Sequence, residues 1–307
     1  MNRFVYIITL TAFTVAFLVL LTFQFPFSAY LPDWYWQYDL TALDNIWLMV
    51  LLFPVAQFAV NFAVKNYQNK VAVLVILIAT AYVMQMTFGI LGEQGFGDLR
   101  NIISEGHYSK YAEYAAEDIS MREAAVNYEK LMIDGKLSTN MNGHPAGLLI
   151  FYMGLERVTS FIAGANGYFE RMYAFSFYSM YIFPLLASLS LIPLFTLSRK
   201  FLKNDMQFVP AAIFMLAPAF ILLPERPDNF LAPLLFLTAL SYSIGAVQKR
   251  SITRGIVAGI MIYIFAYFTF SILALIPILI FYLVWDFFSG SKPRPSFQAM
   301  LNMAVSF

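Results

Sequence analysis

The sequence predicts an all-α, polytopic membrane protein, and three observations support this fold class. Of the 307 residues, 60% are hydrophobic and only 12% are charged, whereas soluble domains contain about 25% charged residues. The mean hydropathy is +0.68. Several stretches without a charge reach the length of about 20 residues that a helix needs to cross a bilayer. Helices are expected because backbone groups in lipid must form their hydrogen bonds within the segment.

The charge-free stretches give the expected spans in chain order. They are residues 4–23, 46–64, 71–91, 172–198, 207–224, 230–247 and 255–285. The first has no small-residue cleavage pattern, so we interpret it as a retained span and not as a signal peptide. The last is too long for one ordinary crossing and contains Thr269 and Ser271 near its middle. We therefore expect a hairpin of two short helices there, with a single tilted helix as the alternative.

The basic residues predict the orientation. Those of the short loops fall on one side of the expected membrane: Arg3, Lys65, Lys70, Arg199, Lys200, Lys203, Lys249, Arg250, Arg254, Lys292 and Arg294. Most acidic residues fall on the other side. Because loops rich in lysine and arginine stay in the cytoplasm, we expect a multi-pass protein of the cytoplasmic membrane with this side inside. A crossing over residues 147–163 would invert the later loops, so the helical stripe of Leu148, Phe151 and Leu155 predicts an amphipathic helix in the outer interface.

Charge and cysteine content exclude some functions. A net charge of +1 leaves no basic face for nucleic acid. The absence of cysteine excludes disulfides, thiolate metal sites and a cysteine nucleophile.

One long polar segment, residues 92–145, separates two membrane elements. Tyr111 and Ala115 mark a first amphipathic helix. Ser120 and Glu123 form a capping-box pattern that would open a second helix, and Gly135 would end it. We therefore expect a folded extracytoplasmic loop that rests on the membrane surface, and loops of this length are usually functional.

Six residues are candidates for chemistry on the outer side. Glu93, Asp98 and Asp228 are the candidate catalytic carboxylates, and His144, Arg171 and Arg226 are the candidate phosphate-binding residues. Asp98 follows a glycine-rich lead, where a carboxylate would deprotonate an acceptor hydroxyl or hold a divalent cation against a phosphate. A helix cap or a solvated loop acid is the alternative. His144 would bind a lipid phosphate or donate a proton, or would simply be a turn histidine before proline. Arg226 and Asp228 lie in a short bridge between spans, which is otherwise a solvated turn, and Arg171 is otherwise an interfacial anchor.

From residue 71 to about residue 297 the chain resembles GT-C fold glycosyltransferases of the protein O-mannosyltransferase and aminoarabinose-transferase group, glycosyltransferase family 39. The order of the motifs carries the resemblance. It runs from Asp98 and two amphipathic helices through His144-Pro145-Ala-Gly, Gly167-x-x-x-Arg171, Ala-Pro-Ala-Phe at 217–220 and Asp228 to Gly255-Ile-Val-Ala-Gly259. The chain departs from the family where Ala146 replaces the second proline of His-Pro-Pro, and where Leu99 and Arg100 follow Asp98 in place of an acidic pair.

The resemblance implies transfer of a sugar from a polyprenyl-phosphate donor to an acceptor lipid, glycan or protein, outside the cytoplasmic membrane and among membrane lipids. Asp98 would be the general base, His144 would bind the donor phosphate with Arg171 nearby, and Asp228 would face the same cavity. Whether a divalent cation takes part stays open. The alternatives are a lipid-linked glycan polymerase or ligase, a non-catalytic scaffold, and a transporter or flippase. Transporters usually place ionisable residues within spans, and the expected spans have none.

The expected organisation has two parts. Residues 1–70 would form two N-terminal transmembrane helices of unknown role, and residues 71–307 would form the GT-C-like module, with the outer loop and interfacial helix at 92–171. An apolar stretch from Met300 to Phe307 looks like the start of another helix, so we expect the native protein to be longer.

Overall fold

The computed structural model of the protein describes residues 46–89, 95–105, 109–117, 120–135, 137, 144–217, 220–221, 226–249 and 251–288. Within these ranges the secondary structure is helical, without a strand. Four helical segments of the described part are long and apolar enough to cross a membrane: Lys70–Gly89, Ala146–Ala163, Tyr168–Ser198 and Asn229–Lys249. This is the architecture of a helical membrane protein. The expected span at 4–23 lies outside the described residues.

The described part of the chain contains the following helices in chain order. They are α1 (Ile46–Lys65), α2 (Lys70–Gly89), α3 (Phe96–Glu105), α4 (Ser109–Ala116), α5 (Met121–Val126), α6 (Tyr128–Ile133), α7 (Ala146–Ala163), α8 (Tyr168–Leu189), α9 (Leu191–Ser198), α10 (Val209–Met215), α11 (Pro227–Lys249), α12 (Ile252–Ala266) and α13 (Leu275–Phe288). Short 3-10 helices, Asn204–Phe208 and Phe270–Ala274, precede α10 and α13.

The long element formed by α8 and α9 is the axis of the bundle. Helices α2, α7 and α11 pack against α8, and α11 also packs against α9. The amide of Gln85 on α2 donates a hydrogen bond to the Ser188 hydroxyl on α8 at 3.2 Å. Polar groups that bond across helices in this way stabilise helix pairs in membranes.

The bundle is apolar on its outside as well as in its core. Large apolar side chains face outward, as at Phe161, which is 87% exposed, and Phe281, which is 69% exposed. Small polar side chains such as Ser179 and Ser243 are buried between helices. Lipid tails solvate the apolar exterior, while small hydroxyls let helices approach closely. The orientation inferred from the basic residues stays a prediction.

The expected span at 207–224 is corrected by the structure. The chain enters it through the 3-10 helix, and α10 then ends at Met215. The sequence supplies the reason: Pro218 disfavours the helical conformation of the residue before it and removes a backbone donor. A charge-free run therefore does not imply an unbroken helix here.

The expected hairpin at 255–285 is observed. Helix α12 ends at Ala266, and the Thr269 hydroxyl accepts a hydrogen bond from the N–H of Ser271 at the start of the next 3-10 helix. Both α12 and α13 pack on α11. The chain then returns along α11. The amide of Gln248, near the end of α11, donates a hydrogen bond to the Tyr282 hydroxyl of α13 at 3.3 Å, which places α13 beside α11.

The polar segment folds into a layer of short helices, α3 to α6, which we call the loop layer. Ser120 caps α5 by accepting from the N–H of Glu123 at 3.0 Å, as expected. Gly135 follows α6 with φ +66°, which favours glycine. The second expected helix is broken at Asn127 into α5 and α6, and Tyr128 and Leu131 are buried.

The apolar stripe of helix α7 is buried at its start and exposed towards its end. Leu148 is 1% exposed, whereas Val158 and Ile162 are 55% and 60% exposed. Glu156 is fully buried, where its carboxylate pairs with Arg171, and the exposed apolar end of the helix is left for lipid. Charged loop helices α4 and α5 pack on α7, which agrees with a position at the interface, although α7 is long and apolar enough to span.

Candidate functional site

The loop layer holds the turn at His144. The Tyr128 hydroxyl on α6 donates a hydrogen bond to the backbone oxygen of His144 at 2.9 Å. The His144 ring lies edge-on to Tyr111 of α4, with centroids 6.4 Å apart. Tyr111 is fully buried and also contacts Tyr152 of α7 at 5.1 Å. Residues far apart in sequence thus fix the histidine where α7 begins.

The Tyr128 hydroxyl is in its donating form at neutral pH, as an ordinary phenol is, and burial adds to this preference. Burial raises the pKa of Tyr128, a hydrogen bond with Tyr111 opposes this, and Tyr267 adds to the increase. The phenol is therefore protonated at neutral pH and available to the His144 carbonyl.

The His144 turn is also joined to the α12 hairpin. The N–H of Gly147 donates to the backbone oxygen of Tyr267 at 2.8 Å. A Cβ at Gly147 would lie 2.1 Å from that oxygen, so only glycine permits the approach. A mainly apolar cavity of about 470 Å³ lies beside this junction. It is lined by Pro145, Tyr263, Ile264, Ala266, Tyr267 and Phe270.

The first turn of α11 packs against α8 and α7. Phe230, in its first turn, stacks on Phe183 of α8 at 4.2 Å and contacts Phe151 of α7 at 6.0 Å. Arg226 is exposed just before the helix. Asp228 is the second residue of α11, and its side chain lies outside the described part of the structure. The Phe151–Phe230 contact therefore links the second turn of α7 to the first turn of α11.

Asp98 lies on a helix. This corrects the expectation, drawn from the neighbouring glycines, that it follows a flexible segment. It belongs to the first turn of α3, which follows Gly95 with φ +58°. Helix α3 is fixed along α8 by Phe96, 6.4 Å from Tyr181, and by Arg100, 5.1 Å above the Tyr173 ring. The side chain of Asp98 and the whole of Glu93 lie outside the described residues.

Arg171 forms a buried ion pair with Glu156. Its Nε lies 2.7 Å from Oε1 and its Nη2 lies 2.9 Å from Oε2 of the carboxylate. The Ser160 hydroxyl donates to Oε1 at 2.6 Å. Arg171 also donates to the backbone oxygen of Ala115, one turn along α4 from Tyr111. The pair and the His144 turn thus contact the same loop-layer helix. A phosphate-binding role for Arg171 stays a prediction.

Glu156 was not among the candidates from the sequence. A sequence pattern could have revealed it. An acid, Glu156, lies within an apolar helix, and a base, Arg171, lies in the first turn of the next helix after a glycine-containing turn. Ionisable groups within apolar helices are usually paired and often functional. This pattern was sufficient to suggest a partner for Arg171.

The Tyr128→Phe variant tests whether the loop layer fixes the His144 turn. Loss of the hydroxyl leaves the His144 oxygen without this donor, at a cost of about 1 kcal/mol. We expect faster hydrogen exchange at residues 144–147 and a slightly lower melting temperature. Tyr114→Phe is the control, because its hydroxyl has no hydrogen bond among the described residues. Equal exchange in both variants would contradict the role given to Tyr128.

No family model, curated protein or solved structure matches this chain. Within the described residues, no group of three histidine, cysteine or acidic side chains is arranged to hold a metal ion.

Proposed function

We propose that this chain is a membrane glycosyltransferase that moves a sugar from a polyprenyl-phosphate donor to an acceptor on the extracytoplasmic side. One observation carries the proposal. The loop layer packs on α7 and α8 and fixes the His144 turn beside an apolar cavity. An enzyme that acts on a lipid-linked sugar needs both an apolar place for the isoprenoid chain and polar groups for its phosphate. The order of the GT-C-like motifs supports the same activity.

The cavity beside Pro145 supports binding of the donor. Its volume is about 470 Å³ and its lining is mainly apolar, which suits a segment of an isoprenoid chain. The phosphate would lie beside His144, which immediately precedes Pro145 of the cavity lining, and Arg226 is the other proposed phosphate-binding residue before α11. A phosphate that leaves bulk water needs fixed donors or positive groups to replace its hydration.

Asp98 is the proposed general base. A carboxylate within reach of the acceptor hydroxyl removes its proton as the hydroxyl attacks the sugar. Helix α3 gives this residue a rigid support along α8, which preserves the geometry that such a transfer requires. Glu93 and Asp228 are the other proposed acidic residues.

The transporter alternative rests on one observation, the Glu156–Arg171 pair within an apolar helix. In transporters such groups mark the path of a substrate or proton. Here the pair is bidentate and the carboxylate has a third bond from Ser160. A carboxylate with three hydrogen bonds favours a fixed link between α7 and α8 over a mobile proton or substrate site. We therefore keep the enzyme as the proposed function.

The test uses the Asp98→Asn variant of the full-length protein in membranes. We expect transfer from a radiolabelled polyprenyl-phosphate sugar to fall by a factor of at least about 100, the usual contribution of a general base. Asp134→Asn is the matched control, because Asp134 is an exposed acid of the same loop layer. Its transfer rate should equal that of the wild type.

The variants must also be compared for membrane level and melting temperature. Loss of transfer in Asp98→Asn at wild-type stability supports the proposed base. Unchanged transfer removes Asp98 from the reaction and turns attention to Glu93 and Asp228. Absence of transfer from the wild-type protein with every donor supplied would contradict the proposed function itself.

A further inference from the structure

A second cavity lies between α8–α9 and α11, far from the His144 turn. Its volume is about 750 Å³. Among its lining residues are the three basic side chains Lys200, Lys249 and Arg254. We call it the basic pocket. Arg254 lies near the start of α12 and Tyr267 just past its end. Since a helix rises 1.5 Å per residue, the two cavities are separated by about 20 Å along α12.

The basic pocket changes from apolar to cationic along its length. Leu189, Ile192 and Pro193 precede Lys200 along α8 and α9, and Leu234 precedes Lys249 along α11. The two helical walls therefore change in the same direction, from apolar residues to bases. Thr238, Ser241 and Gln248 add polar groups along the α11 wall. A molecule that fits this gradient has an apolar body and an anionic end.

The basic groups are close together. Both Lys200 and Arg254 lie over Gly245. A Cβ added to this glycine would lie 2.9 Å from Lys200 Nζ and 3.8 Å from Arg254 Nη1, so the two charged groups share the space that the missing side chain leaves. Lys200 donates a hydrogen bond to the backbone oxygen of Ser241. Burial, together with the charges of Arg254 and Lys249, lowers the pKa of Lys200.

The charges of the basic pocket are not balanced by acids in the described part of the chain. Of the residues described there, no carboxylate forms a salt bridge with Lys200, Lys249 or Arg254. Like charges held together at the edge of a low-dielectric region repel one another. An anion bound among them would relieve that repulsion, and clusters of bases beside membrane helices commonly bind lipid headgroups.

We propose that the basic pocket binds one anionic phospholipid of the surrounding membrane, with its phosphate between Lys200 and Arg254 and its acyl chains along the apolar wall. The membrane supplies this molecule at high local concentration, and its shape follows the gradient of the pocket. The inference does not depend on the proposed glycosyl transfer, because it concerns a different cavity.

Native mass spectrometry of the detergent-purified full-length protein tests the inference. Phosphatidylglycerol is titrated against phosphatidylcholine, polyprenyl phosphate and inorganic phosphate as separate probes. We expect the wild type to retain one phosphatidylglycerol at least tenfold more tightly than phosphatidylcholine. The Lys200→Gln/Arg254→Gln variant should lose that preference. Lys203→Gln, an exposed base that does not line the pocket, should keep it.

Two further comparisons make the outcome decisive. Gly245→Val keeps every charge but fills the space beside Lys200 Nζ, so it should also weaken phosphatidylglycerol binding. Equal weakening by Lys203→Gln would show a general surface charge effect and overturn the proposal. Tighter binding of polyprenyl phosphate, or of inorganic phosphate alone, would overturn the assignment to a membrane phospholipid.

Discussion

Replacement of Glu156 by alanine is expected to destabilise the protein by about 3–5 kcal/mol, the usual cost of removing one partner from a buried ion pair. The carboxylate is fully buried, and Arg171 is only 16% exposed. Loss of the Glu156 carboxylate would leave the Arg171 guanidinium without two hydrogen bonds and the Ser160 hydroxyl without one. The melting temperature in detergent should fall by about 10 °C.

Two further variants separate the ion pair from simple truncation. Glu129→Ala removes an exposed acid of the loop layer and should leave the melting temperature unchanged within about 1 °C. The double variant Glu156→Met/Arg171→Met removes both charges and should be more stable than Glu156→Met alone, because no charge is then left unpaired. If the double variant lost as much stability as the two single changes together, the pair would not be coupled as described.

Replacement of Gly147 by alanine is expected to have the second large effect. The added Cβ would meet the Tyr267 backbone oxygen at 2.1 Å and the Tyr267 carbonyl carbon at 2.6 Å. Backbone atoms do not move away as the end of a flexible side chain does, so α7 must separate from the α12 junction. The hydrogen bond from Gly147 to Tyr267 would be lost. Overpacking of this kind costs about 3 kcal/mol or more.

Gly255→Ala is the matched control for that variant. Gly255 is also near the start of a helix, but a Cβ there would meet nothing within 4 Å. Alanine should raise helix stability by as much as about 1 kcal/mol, because it loses less backbone entropy than glycine. Thermal unfolding of both variants measures the difference. A Gly147→Ala protein as stable as Gly255→Ala would contradict the close approach at Tyr267.

The helical membrane architecture could be predicted from the sequence because it depends on local composition. Lengths of charge-free runs gave α2, α8–α9 and α11 to within a few residues of their observed ends. Local signals were also reliable in the loop layer, where Ser120 caps α5 as expected. The break at Thr269 followed from the length of the run and its hydroxyl residues.

The direction in which α7 faces could not be predicted in the same way. Its apolar stripe was recognised, but a stripe in a membrane protein can face either lipid or protein. Arg171 pairs with Glu156 across the turn after α7 and holds this carboxylate inside the bundle. The approach of Gly147 to Tyr267 likewise joins residues 120 positions apart, and no local pattern encodes it.

The candidate site was predictable only in part. His144 was proposed from its place before α7, and its role stays a prediction, while the structure adds Tyr111 and Tyr128 as the groups that hold this turn. Glu156 and the basic pocket were missed because each depends on contacts between separate helices. The side chains of Asp98 and Asp228 lie outside the described residues, so their roles rest on position and resemblance.

Glycosyl transfer from a polyprenyl-phosphate donor is measured with the wild-type full-length protein in liposomes. Polyprenyl-phosphate sugars labelled in the sugar are supplied one by one, with membrane extract as the source of acceptor. We expect label to leave one donor class and to appear in an acceptor lipid, glycan or protein, with free polyprenyl phosphate as the second product. Retention of the label on every donor, by a protein whose folding is confirmed by its melting transition, would contradict the proposed function.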